Sequence, residues 1–265
     1  MNATRWARFR GAAAGAMAAA LVLAGAGGAQ AASAKVDKKV TSQLKLAHNL
    51  YEARRLAEAL GTVDKIIDEE PRYAQARLLR GMVYYEMGKM PEALREFDKT
   101  LDLEKGYTDA RIYRGSVLMN LDRTEEALGE FEKALQDLTY PWPERIHGNI
   151  GMLRRRMGQP DAAIASLQKA VRANPSYAKG YFELGVTYES LGRHVEALKA
   201  YQDALVGMDA VPQLHLKLGL ALLKAGSSPK ARLHFERVLQ LSPDGPEASQ
   251  ARDHIARMDK PSSPS

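Results

Sequence analysis

Three features of this 265-residue chain predict an all-α fold, a solenoid of six stacked helix-turn-helix repeats closed by a C-terminal capping helix. The first is a 34-residue period, with units opening near Val40, Ala74, Thr108, Glu144, Ala178 and Pro212. The second is a fixed pair of small residues. The eighth position of each unit carries Ala47, Gly81, Gly115, Gly151, Gly185 or Gly219, and the twentieth carries Ala59, Ala93, Ala127, Ala163, Ala197 or Ala231. Small residues at both places let two antiparallel helices approach closely. The bulky twenty-fourth position (Val63, Phe97, Phe131, Leu167, Tyr201, Phe235) fills the space beside them. The third is punctuation. Gly88, Gly158, Gly192 and Gly226 stand where a first helix must stop in a left-handed cap, and Pro91, Pro160 and Pro229 stand at the start of the second helix.

Along the chain, residues 1–31 read as a secretory signal. Arg5, Arg8 and Arg10 precede an uncharged Ala/Gly-rich run that closes on the small-x-small sites Ala29–Ala31 and Ala32–Ala34. The alternative is an uncleaved anchor, since the run is long enough to span a bilayer. Cleavage removes three arginines and no acid, so the formal charge falls from +6 to +3. A nucleic-acid partner, which needs a clustered basic face, loses its support. Residues 32–39 form a short linker and 40–245 the six repeats. Ala248, Ala251, Ile255 and Met258 share one face of a capping helix over 246–259, and 260–265 are expected to form a disordered tail.

The period slips once. Units three and four open 36 residues apart, and the two extra residues fall in the stretch around Tyr140-Pro141-Trp142-Pro143. Proline lacks the N–H and forces the residue before it out of the helical region, so the run is a lengthened loop between intact units. Pro143 opens the next helix, with Glu144 in its first turn. Two readings of Tyr140 and Trp142 stay open: they seal the seam between units, or they anchor a partner.

The repeat pattern resembles the tetratricopeptide (TPR) family over about residues 40–245, which implies a right-handed superhelix with the first helices of the pairs lining a concave surface. The tyrosine-proline loop followed by Asn149-Ile150-Gly151 is similar, more narrowly, to the periplasmic TPR proteins of type IV pilus biogenesis, the PilF/PilW/Tgl-type pilotins. That resemblance implies a role in assembling an outer-membrane secretin. Its members are typically lipoproteins, whereas this chain has no cysteine, and Ala26 stands where a lipidated cysteine would be.

Chemistry is sparse. The six histidines show no metal-ligand spacing, there is no thiol, and no serine sits in a nucleophile elbow. No enzyme, cofactor or metal is expected. The expected activity is capture of a protein segment, an amphipathic helix or apolar peptide, by a periplasmic scaffold that does not itself insert in a membrane after cleavage. The proposed groove is the stripe of Leu44, Leu78, Met82, Tyr85, Ile112, Met152, Phe182, Val186 and Leu216, with Arg155 and Arg156 turned to an acidic patch of the partner. The competing reading buries that stripe as core. A general adaptor for cell-envelope or peptidoglycan assembly proteins is the alternative function.

Overall fold

The computed structural model describes residues 38–259. The signal, most of the 32–39 linker and the 260–265 tail lie outside the described residues. Among the described residues there are thirteen helices and no strand: α1 Lys38–Glu52, α2 Leu56–Glu69, α3 Ala74–Glu86, α4 Met90–Leu103, α5 Thr108–Asn120, α6 Thr124–Ala134, α7 Pro143–Arg156, α8 Pro160–Ala173, α9 Ala178–Ser190, α10 His194–Met208, α11 Pro212–Lys224, α12 Ser228–Leu241 and α13 Pro246–Met258. None of them is long and apolar enough to cross a membrane. The described residues divide into two compact units, 38–141 and 142–259.

In the first unit α1–α2, α3–α4 and α5–α6 form hairpins, and each hairpin packs on the next through α2–α3 and α4–α5. The small-to-large register sets the hairpin spacing. A β-carbon added at Gly81 would stand 2.6 Å from the Phe97 ring, and one at Gly115 would stand 2.7 Å from the Phe131 ring. Both rings are fully buried. The first repeat reaches the same fit with Ala47 opposite the smaller Val63.

Each first helix ends in the same backbone motif. At Gly88, φ is 75°, the Gly88 N–H donates to Tyr85 O (3.1 Å) and the Lys89 N–H donates to Tyr84 O (2.9 Å). This closes the helix and satisfies its last carbonyls. Arg54 (φ 61°) and Asp122 (φ 58°) occupy the same register without glycine. A side chain is strained in that region, less so for Asp than for most. Asp122→Gly is therefore expected to raise stability by about 0.5 kcal/mol, read as a higher urea midpoint. An unchanged or lower midpoint would contradict it.

Buried carboxylates tie the hairpins of this unit together. Glu96 on α4 meets Arg77 (3.4 Å) and Arg80 (2.9 Å) on α3 and Lys99 (3.1 Å) on its own helix. Glu130 on α6 repeats the pattern with Arg111 (3.5 Å), Arg114 (3.2 Å) and Lys133 (3.0 Å). Arg80 and Arg114 also reach back to Asp64 (2.9 Å) and Asp98 (2.7 Å) on the preceding second helices. One arginine thus staples three helices.

The second unit, α7–α13, keeps the spacing but changes the chemistry. Gly151 faces Leu167 and Gly219 faces Phe235, and a β-carbon added at either glycine would stand 2.5 Å from the facing side chain. In the fifth repeat, Leu184 and Ala200 occupy the places that Arg114 and Glu130 fill in the third. Leu216, Leu222, Phe235, Val238 and Ala251 form one cluster at its C-terminal end, with Ile255 and Met258 of α13 packed against it. The opposite side of α13, with Ser249, Gln250, Arg252, Asp253 and Arg257, is exposed. That polar face ends the stack without leaving an apolar surface, as a solenoid requires.

Candidate functional site

The apolar stripe expected to line a groove is core. Leu44, Ile112 and Phe182 are 1%, 2% and 1% exposed, and Leu78, Met82, Met152 and Leu216 are also buried. The physical reason is that each first helix inside a stack meets its own partner on one side and the neighbouring hairpins on others. Its apolar arc is accordingly wider than a single helix pair needs. Leu78→Glu and Phe182→Glu are expected to unfold their units rather than to remove binding alone. In the fourth repeat the fifth position is Gly148, and the reason lies outside that repeat. A β-carbon there would stand 2.8 Å from the Tyr177 hydroxyl, so the tyrosine before α9 fills the slot that Leu or Ile fills elsewhere.

What remains accessible along the first helices is mixed. Tyr85 is half-buried, edge-on to Tyr113 (ring centroids 6.4 Å apart), and its hydroxyl accepts a hydrogen bond from Asn120 Nδ2 (3.0 Å). Val186 and Arg156 are half-buried. In the first unit, Glu52, Glu86 and Asn120 share the thirteenth position. Glu86 is joined to Arg54 in an ion pair. In the second unit the corresponding places hold Arg156, Ser190 and Lys224, with Arg145 and Lys179 at the second position of their repeats. At the thirteenth position the first unit is thus acidic to neutral and the second neutral to basic.

Arg155 is not held ready for a partner. Its Nη2 donates to Glu183 Oε2 at 2.9 Å, and Glu183 is buried on α9. Arg154 donates from Nη1 to Ser166 Oγ (3.0 Å), so its head group is engaged inside its own hairpin. Glu183 escaped the sequence reading because its partner lies 28 residues away in the next repeat.

The loop between repeats three and four is fastened to the start of α5. Asp137 accepts from Thr108 Oγ1 (2.6 Å), Thr139 Oγ1 (2.7 Å) and the Thr139 backbone N–H (3.0 Å). The Thr108 hydrogen bond, followed by those from Thr139, holds its carboxyl below the usual carboxylate range. The Tyr140 hydroxyl donates to Asp109 Oδ1 at 2.9 Å, and both residues are buried. Tyr140 is therefore a structural residue of the first unit. Trp142 is half-buried at the position preceding α7. Leu138, between these anchored residues, is 94% exposed.

Among the described residues no group of three or more histidines and acids is placed to hold a metal. A cavity beside Glu189, His194 and Tyr201 measures about 10 Å³, which is room for about one water molecule. An open hollow of about 550 Å³ lies against Lys105, Thr108, Arg111, Lys133 and Asp137; Arg111 and Lys133 pair with Glu130, and Asp137 accepts from Thr108.

Comparison with known proteins agrees with this architecture. The family model for the tetratricopeptide repeat matches residues 44–106, 80–140, 149–215 and 206–246. The cytochrome c-type biogenesis protein CycH of Bradyrhizobium diazoefficiens is 28% identical over 118 residues, 43% of this chain but only 31% of that protein's length. The crystal structure of PilW, a widely conserved type IV pilus biogenesis factor, superposes with a TM-score of 0.72 at 20% identity, covering 82% of this chain and 99% of that one. Pseudomonas aeruginosa PilF gives 0.69 at 19% identity, with 82% and 98% covered. The Cut9 and Hcn1 assembly of the APC/C gives 0.73 at 17%, with 83% and 43% covered. At these identities the likeness is one of fold.

Proposed function

The chain belongs to the tetratricopeptide repeat family, and on that premise we propose that it is a non-catalytic scaffold that binds a segment of a partner protein along its first helices. The observation that carries this reading is how the buried polar groups are used. Glu96, Glu130 and Glu183 pair with arginines that join helices, so these buried charges hold the fold together. The segment is read by the half-buried residues Val186 and Arg156 of the second unit, and the arginines and lysines of that unit favour an acidic stretch on it.

The most specific form of the proposal is a pilotin-like factor of the periplasm, acting in type IV pilus secretin assembly. It is supported by the near-complete coverage of PilW and PilF, by the signal-like residues 1–31 and by the loop at Tyr140 to Pro143. In this reading, outer-membrane association comes through a partner. The second form, an adaptor for other envelope-assembly proteins, is favoured by the sequence relationship to a cytochrome c-type biogenesis protein.

Capture from envelope extract by the mature chain tests both. The expected result is co-purification of the secretin, reduced tenfold or more by Val186→Glu with Arg156→Glu. A central contact residue is typically worth about 2 kcal/mol, and both side chains are only half-buried, so the melting temperature should move little. Recovery of cell-wall or cytochrome-maturation proteins without secretin would select the adaptor. Undiminished capture by the double variant would remove the first helices as the binding surface.

A further inference from the structure

Positions four and twenty-three of a repeat face each other across its hairpin. In repeats two and three they hold ion pairs, Arg77 with Glu96 and Arg111 with Glu130. In the sixth repeat the same two positions hold His215 on α11 and His234 on α12. Their rings stack with centroids 5.2 Å apart, and their Nδ1 atoms are 2.9 Å apart. His215 is 5% exposed, and its Nε2 lies 2.7 Å from the carbonyl oxygen of Asp209.

Proton positions follow from these distances. A carbonyl only accepts, so His215 carries a proton on Nε2. Its Nδ1 is then the acceptor when the ring is neutral, and His234 donates its own Nδ1–H. A first added proton can settle on His234 Nε2 and leave this hydrogen bond in place. A second has only His215 Nδ1 to occupy, where it would confront the Nδ1–H of His234 across 2.9 Å. The contact tolerates no charge or one, and not two.

We propose that His215 and His234 form a pH-sensitive latch on the last repeat, whose double protonation opens the α11–α12 hairpin and loosens α13 from it. The surroundings sharpen the response. Asp209, at the end of α10, favours a charge on His215 through the hydrogen bond at its carbonyl, whereas Arg237, on α12 itself, repels it. Lys217 on α11 is engaged by Glu189 of α9. From α13, His254 is stacked on Phe235 of α12 with ring centroids 5.0 Å apart, and Asp259, directly after α13, is ion-paired with Arg232 of α12. Burial lowers the proton affinity of both latch histidines, and a charge on His215 would lower that of His234 further. A histidine whose affinity is lower folded than unfolded contributes stability that is present above the unfolded value of 6.5 and lost as the pH falls below it. The six-residue cluster that α13 helps to close, around Phe235 and Val238, is what opening would uncover.

Amide hydrogen exchange on the full chain, expressed as protection factors at pH 7.5 and pH 5.0, tests the latch. Protection across α11–α13 is expected to fall at least tenfold more than across α7–α9, where His147 serves as an internal control for burial of a single histidine. The exchange His215→Arg with His234→Glu installs the ion pair of the earlier repeats and should abolish that difference. If this variant does not fold, His234→Gln, which keeps a donor to His215 and removes one titrating ring, should at least halve it. Histidine ring ¹⁵N shifts of the unaltered chain supply a second reading: one ring of the pair should remain neutral at a pH where the other is charged. Independent titration of both rings near 6.5, or an equal loss of protection in the variants, would overturn the proposal.

Discussion

Glu130→Ala is expected to lower the stability of the first unit by about 2–4 kcal/mol, a value toward the lower end for breaking a buried ion pair. Glu130 is 4% exposed and is the carboxylate on which Arg111, Arg114 and Lys133 converge. Its removal leaves two guanidinium groups packed between helices with Asp98 as the remaining acid beside Arg114. The cost stays below the upper limit because the arginine side chains keep about a quarter of their surface in water, 24% and 23%. The same protein holds the apolar solution to the same geometry. In the fifth repeat these positions are Tyr181, Leu184 and Ala200. The triple variant Arg111→Tyr, Arg114→Leu, Glu130→Ala copies that set and should return to within about 1 kcal/mol of the parent, as replacement of a whole buried ionic group by apolar residues often does. Urea denaturation followed by circular dichroism reads both. A single variant costing under about 1 kcal/mol would mean that the staple is better hydrated than its burial indicates.

The two units therefore use one backbone plan with different glue, and this bears on what could be read from sequence alone. The plan itself was legible at Gly115, Ala127 and Phe131, because small and large residues recurring in a fixed register have only one common explanation, close helix packing. The distinction between core and surface was not. Leu78 and Val186 lie on the same helical stripe, yet one is buried and the other half-buried. That difference depends on how the next hairpin sits, which periodicity within one helix does not encode. Polar partners were equally hidden. Tyr140 meets Asp109 across 31 residues and Arg155 meets Glu183 across 28. The exception is the 19-residue interval of Arg77–Glu96, Arg111–Glu130 and His215–His234. That interval recurs three times at matching repeat positions, so it was available to a reader who compared charged as well as apolar positions.

The small-to-large register can be tested as a pair. Gly115→Ala alone is expected to cost about 2 kcal/mol. The new methyl would lie 2.7 Å from the Phe131 ring, and overpacking of this kind costs about 1–3 kcal/mol, offset in part by the better helix propensity of alanine. Phe131→Val alone is expected to cost about 3 kcal/mol, because the ring is fully buried and truncation leaves a cavity. Together the two changes recreate Ala47 opposite Val63, the combination that the first repeat already uses. The methyl then occupies part of the space the ring vacated, so the penalties should fall short of additive by about 1–2 kcal/mol, the coupling typical of residues in direct contact. Strict additivity in this double-mutant cycle would show that the Gly115 methyl is accommodated by a shift of α5 relative to α6. The close approach of the two helices, and not the fit of one glycine to one ring, would then be what the repeated pattern preserves.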